Sequence, residues 1–261
     1  MRRILVLIVL VVIFVALLLT SRSVASWQHS IIAGDAGSLL YAASFDGGSS
    51  DGFNGDWSQY PGRLSAQIAS GQMQISIGAE SSGAYSVALP HFGDFDLRVE
   101  AQAIAGPIDN SYGVVFRLQN KDNTQVEDDN YYLFLISSDG YYEVSRAING
   151  KQKELSTWIA SNAVNQGLNA VNRLRVTAKG DQFRFYINDQ AVTLCIPDDP
   201  NAQSTVNPVS GECMGGAMKD TLTDDSIPNG QIGVTAQSTD TGGAGVVAAF
   251  DNLLVYAPQA S

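Results

Sequence analysis

Four side chains in the middle of the chain have the clearest potential to hold a ligand. In Tyr131-Tyr132-Leu133-Phe134-Leu135-Ile136 both faces of a strand would be apolar, and the next apolar segment opens with Tyr141-Tyr142. If Tyr132, Phe134 and Tyr142 face outward, their rings form a platform on which sugar rings stack their C–H faces, with the Arg117 guanidinium donating hydrogen bonds. The alternative is a central strand covered on both sides, whose rings only pack. A second group is acidic: Asp46, Asp51 and Asp56 lie near the first strand, and Asp251 lies near the last. Hard carboxylate oxygens suit calcium, so Asp46 and Asp251 are the candidate metal ligands. The competing reading is that these aspartates cap turns.

Two cysteines, Cys195 and Cys213, flank a polar stretch rich in Pro, Asn, Ser and Gly. A disulfide is expected outside the cytoplasm, and closing such a loop removes roughly 3 kcal/mol of unfolded-chain entropy. Two free thiols are the alternative, while a metal site would need a nearby His or third Cys. Other chemical patterns lead nowhere. Gly48-Ser49-Ser50-Asp51-Gly52 matches a nucleophile elbow in form, but no helical pattern follows it and only His29 and His91 could act as base. His29 falls in a polar stalk and His91 beside Pro90, where a turn role is expected. Glu127-Asp128-Asp129 is consecutive, so neighbouring carboxylates would point to opposite faces of a strand, as in a solvated loop.

What must position these residues is a chain of short strands behind an export segment. After Arg2-Arg3 an apolar run extends from Ile4 to Leu19, ending at Thr20-Ser21-Arg22. Its length falls between a signal-peptide core and a spanning helix. We expect a retained anchor over residues 1–22, with a signal cleaved near Ser23-Val24-Ala25 as the alternative. The arginine pair stays cytoplasmic and sends the rest outward, so the membrane is a partner through this segment. Residues 23–38 read as a short stalk.

From residue 39 to about 257 the period is two. In Phe95-Asp96-Leu97-Arg98-Val99-Glu100-Ala101-Gln102-Ala103 every odd position is apolar and every even one polar. The pattern recurs over 72–77, 173–178, 183–187, 231–236 and 246–255. Asp139-Gly140, Asn149-Gly150, Gly180-Asp181 and Asn188-Asp189 supply residues that tolerate positive φ in tight hairpins. Residues 158–167 read as a connecting loop. The expected fold is all-β, an antiparallel two-sheet jelly-roll sandwich preceded by one N-terminal transmembrane or signal helix. With 15 basic and 26 acidic side chains the net charge is -11, which repels phosphate backbones and disfavours nucleic acid as a partner.

The order of segments resembles a known family. Phe92-Gly93-Asp94-Phe95 leading to Asn110-Ser111-Tyr112-Gly113-Val114-Val115-Phe116-Arg117 resembles the strand ending in Phe-Arg of concanavalin A-like jelly rolls. Asn172-Arg173-Leu174-Arg175-Val176 with Phe183-Arg184-Phe185-Tyr186-Ile187, and Gly230-Gln231-Ile232-Gly233 with Ala249-Phe250-Asp251-Asn252-Leu253, resemble their later strands. The chain is similar to bacterial laminin-G-like domains and to the 3-keto-disaccharide hydrolase domain. The resemblance implies a carbohydrate or another extracellular polymer as partner, bound without catalysis; glycoside cleavage and a structural or protein-binding role are the alternatives. The Glu-x-Asp-x-Glu strand of family 16 glycosidases is absent. Residues 195–229 form an insertion where the family has a short connection.

Overall fold

The computed structural model describes residues 9–14, 30–46, 57–78, 82–120, 128–238 and 245–259. Along them run β1 (Ile31–Ile32), β2 (Leu39–Ala43), β3 (Leu64–Ala69), β4 (Gln72–Ile77), β5 (Ser82–Phe92), β6 (Phe95–Ala105) and β7 (Ser111–Gln119). Then come β8 (Asn130–Ile136), β9 (Tyr141–Ile148), β10 (Lys151–Ala160), β11 (Asn172–Lys179), β12 (Gln182–Ile187) and β13 (Gln190–Val192). The insertion contributes β14 (Leu194–Pro197), β15 (Thr205–Val206), β16 (Cys213–Met214), β17 (Gly216–Lys219) and β18 (Leu222–Thr223), and the chain closes with β19 (Gly230–Ser238) and β20 (Val246–Tyr256).

Two large sheets result. The first has the order β1-β5-β19-β7-β8-β9-β10, and the second β13-β12-β11-β6-β20-β4-β3, with β2 on β20 and β18 on β12. All the large-sheet pairs but the short β1–β5 contact are antiparallel. The alternation read over 95–103 places Phe95, Leu97, Val99, Ala101 and Ala103 in the core. Asp96 is the exception on the polar face: two guanidiniums, Arg98 and Arg175, enclose it. The hairpin signals also hold. Asn149 and Gly150 join β9 to β10, and Asn188 and Asp189 join β12 to β13, all four at positive φ.

The sheets pack face to face through aromatic rings, each burial contributing roughly 2 kcal/mol or more. Phe134 of the first sheet meets Phe185 of the second with ring centroids 5.0 Å apart, and Phe116 meets Phe95 at 6.0 Å. The architecture is thus a jelly-roll-like all-β sandwich.

One expectation about the N-terminal region changes. Of the apolar run only residues 9–14 are described; they are helical and exposed. Among the described residues no helix is long and apolar enough to cross a membrane. The stalk, moreover, is not all tether: Ile31 and Ile32 pair in parallel with His91 and Phe92, adding an edge strand to the first sheet.

Candidate functional site

The residues expected to form an aromatic platform lie inside the sandwich. Tyr132, Phe134 and Tyr142 are buried, and Arg117 is 1% exposed. Tyr132 stacks on Phe116 at 5.3 Å and donates a hydrogen bond to Asp224 Oδ1 at 2.6 Å. The Tyr142 hydroxyl donates to the carbonyl of Thr193. Because β8 is apolar on both faces, the pattern left its phase open, and an error of one residue moves every side chain to the other face.

Arg117 has a structural task. It sits at positive φ where the register of β7 against β8 and β19 shifts, a bulge that turns its side chain inward. There the guanidinium donates to the carbonyls of Gly93 (3.0 Å), Gly180 (2.7 Å) and Ile227 (2.9 Å) and lies over the Phe183 ring at 4.7 Å. Three connections are tied together by one side chain.

The Asp46 carboxylate lies over the Ser70–Gly71 turn, while Asp251 on β20 pairs with Glu100 of β6 and accepts the Asn252 backbone N–H at 2.7 Å. Among the described residues no three His, Cys, Asp or Glu side chains gather to hold a metal. Asp51, Asp56, the Gly48–Gly52 motif, Glu127 and His29 lie outside the described residues. His91 belongs to β5 rather than to a turn. Asp129 is not a solvated loop residue: it is fully buried and accepts a hydrogen bond from the Tyr85 hydroxyl at 2.5 Å. The disulfide between Cys195 and Cys213 is present, with an S–S distance of 2.07 Å.

One surface with room for a ligand lies on the outer face of the first sheet, where it meets the insertion. Register places Glu143 opposite Leu135, Leu135 opposite Gly113, Gly113 opposite Thr235 and Thr235 opposite Tyr85. All five therefore point the same way, away from the core. At about 4.8 Å between strands this row spans roughly 19 Å across the strand direction. Its middle is a closed apolar floor of Val87, Val115, Leu118, Leu133 and Leu135, flanked by Tyr85, Tyr131 and Trp158.

Beyond that floor opens a cavity of about 650 Å³. Its walls include Ser111 and Gln237 from β7 and β19, Glu143 from β9, and Gln152, Glu154 and Trp158 from β10. Asn201, Ala202 and Gln203 close it from the disulfide-bonded insertion. Glu154 stands opposite Ser145, the next outward residue after Glu143 on β9. The Ser145 hydroxyl accepts from the Gln152 amide at 3.0 Å and lies 3.4 Å from Glu143 Oε1.

Burial, and then the charge of Glu154, push the Glu143 carboxyl up to about 7, against the opposing Ser145 contact. A carboxyl poised there can both give and take a proton near neutral pH. Amide and hydroxyl groups beside one indole suit a polyhydroxylated ring, whose C–H face stacks and whose hydroxyls need donors and acceptors. Reading the sequence missed this pair of carboxylates because they come from two neighbouring strands rather than one. It also missed Trp158, assigned to a loop but lying in β10. The available signal was the alternation of Glu143 and Ser145 with Tyr142 and Val144.

Two antiparallel sheets packed face to face in this order define a concanavalin A-like, jelly-roll class of fold. Residues 41–255 match the 3-keto-alpha-glucoside-1,2-lyase-like domain, and the chain belongs to that family. No curated protein sequence matches the chain. Among solved structures it is similar to the carbohydrate binding module CBM66 from Bacillus subtilis (15% identity, 77% of this chain and 96% of that one, TM-score 0.51). It is also similar to a Bacillus subtilis protein of unknown function with a galectin-like fold (14%, 85% and 97%, TM-score 0.54). A third likeness is to a prokaryotic beta-1,3-1,4-glucanase derived from a mouse hindgut metagenome (11%, 84% and 98%, TM-score 0.52). At these identities the likeness is one of fold.

Proposed function

We propose that this domain binds a neutral glycan in the outer-face cleft and is held outside the cytoplasmic membrane by its N-terminal segment. The observation that carries the reading is the cleft itself, where Trp158 and the amides of Gln152, Asn201, Gln203 and Gln237 surround one cavity. Its carboxylates and the acidic balance of the chain disfavour anionic polymers. The external placement is supported by Arg2-Arg3 ahead of the apolar run and by a disulfide of the kind that persists in oxidising compartments. Titration with linear α-glucans, followed by calorimetry, tests binding. Trp158→Ala should abolish the signal while leaving the fold intact, and an unchanged affinity in that variant would remove the cleft as the site. Labelling of a surface cysteine in intact cells tests the placement.

A second reading is catalysis, favoured by the position of Glu143 near neutrality beside Glu154. The family description names a lyase acting on 3-keto-α-glucosides between C1 and C2. In such a substrate the ketone acidifies the hydrogen on C2; a base removes it, a double bond forms between C1 and C2, and the glycosidic oxygen leaves C1 with a proton. Glu143 has the acidity for either proton transfer. Release of the aglycone from a 3-keto-α-glucoside, lost in Glu143→Gln with ligand affinity retained, would support this reading. No release over buffer would leave binding alone.

A further inference from the structure

We infer that the disulfide-bonded insertion is a stop at one end of the cleft, so that the site takes the end of a glycan chain and not an internal stretch. The inference rests on the reading of the cleft as a sugar site. The outer-face row from Tyr85 to Glu143 is closed over from Thr235 to Glu143, and the open cavity begins at that end, over β9 and β10. A polymer reaching across the cavity from that closed side would have to leave over the β10 edge. That edge is occupied: Asn201, Ala202 and Gln203 rise beside it and form the far wall of the cavity.

The wall is built to stay in place. The Cys195 backbone N–H donates to Ser156 Oγ of β10 at 3.0 Å, and Ser204 Oγ donates to the Cys195 carbonyl. Lys153, also on β10, donates to the carbonyl of Pro200, immediately before the wall residues. Across the base of the loop the Asp198 N–H reaches the Gly215 carbonyl at 3.1 Å, and the Cys195–Cys213 bond locks the two sides. A segment with few apolar residues is thereby fixed at both ends and in the middle. Its two amide side chains, Asn201 and Gln203, supply donors and acceptors where a terminal sugar exposes hydroxyls that an internal one uses in linkages. The wall thus excludes a continuing chain and rewards a chain end.

Rings with no ends test this directly. Linear maltohexaose and α-cyclodextrin present the same sugar and linkage, and the wild-type chain should bind the linear form at least about tenfold more tightly. Replacing residues 199–203 by two glycines should reduce that preference to under about threefold by admitting the ring. Asn201→Ala with Gln203→Ala, which leaves the loop backbone alone, should weaken the linear ligand and leave the cyclic one unchanged. Equal affinity of the wild type for both sugars would overturn the stop while leaving the cleft a sugar site. Failure of the wild type to bind either would overturn the cleft reading and this inference together.

Discussion

Glu143 and Glu154 reach one cleft from neighbouring strands, with Ser145 standing directly opposite Glu154 and one outward place along from Glu143. Burial is the larger influence on Glu143 and the negative charge of Glu154 the smaller, and both favour the protonated carboxyl. In the unfolded chain the same group titrates at the ordinary value of 4.5, so between that value and about 7 the folded state binds more protons. Stability therefore falls as pH rises through this window, the reverse of the usual carboxylate behaviour. Glu143→Gln removes the titration and should gain about 2 kcal/mol over wild type at pH 8, with little difference at pH 4. Denaturant melts at the two pH values measure this, and an equal difference at both would show that Glu143 does not titrate anomalously.

The three carbonyls gathered by Arg117 belong to Gly93 between β5 and β6, Gly180 between β11 and β12, and Ile227 at the end of the insertion. Removing the guanidinium leaves these acceptors without their donor in a closed environment. Arg117→Met should cost about 3 kcal/mol. Lys offers one ammonium in place of a planar fork and cannot reach all three, so Arg117→Lys should recover less than half of the loss. Full recovery by Lys would mean that charge alone, and not the geometry of the fork, holds the connections.

The fold was legible because β6, β11, β12 and β20 each bury only one face, and a one-sided strand declares its period. The hairpins at Asn149-Gly150 and Asn188-Asp189 were legible because positive φ restricts which residues can stand there. The site was not legible, for a related reason. β8 is covered on both sides, by the core on one and by the outer-face apolar floor on the other, so Tyr132 and Phe134 could be placed on either face. Phase came only from pairing: Tyr132 opposite Phe116 and Arg146, Leu135 opposite Glu143. The wall of the cleft depends on Asn201 and Gln203, whose positions are set by a disulfide and by contacts to β10 that no local pattern announces.

Reduction of the Cys195–Cys213 bond tests how far the insertion depends on it. The cysteines are 18 residues apart, and a loop of that size restrains the unfolded chain by about 3 kcal/mol. Because Cys195 is fully buried against β10, the bond should resist mild reductant in the native state and yield only near the unfolding transition. The Cys195→Ala, Cys213→Ala double variant should melt several degrees lower while keeping the strand content of the sandwich. Loss of the whole β signal would instead make the insertion part of the folding unit.

The return from the insertion is latched by Asp224. Its Oδ1 accepts from the Tyr132 hydroxyl at 2.6 Å and from the Ser226 backbone N–H at 2.9 Å, and Oδ2 pairs with Arg146 at 2.5 Å. Desolvation pushes the carboxyl up, but the hydrogen bonds from Tyr132 and Ser226 and the Arg146 charge outweigh it, so its pKa lies below the ordinary 3.8. A group depressed in the folded state stabilises fully above its unfolded pKa and loses that contribution as pH falls through the folded one. Acid below about pH 4 should therefore loosen the latch first. Asp224→Asn keeps the shape and removes the charge, and it should cost about 1–2 kcal/mol at pH 7 and progressively less as the pH falls below about 4. Tyr132→Phe, removing one donor from the same carboxylate, should cost about 1 kcal/mol at neutral pH. Hydrogen exchange at residues 222–229 reads the latch directly: both variants should speed it at pH 7, and protection equal to wild type in Asp224→Asn would show that the β18–β19 connection is held by packing alone.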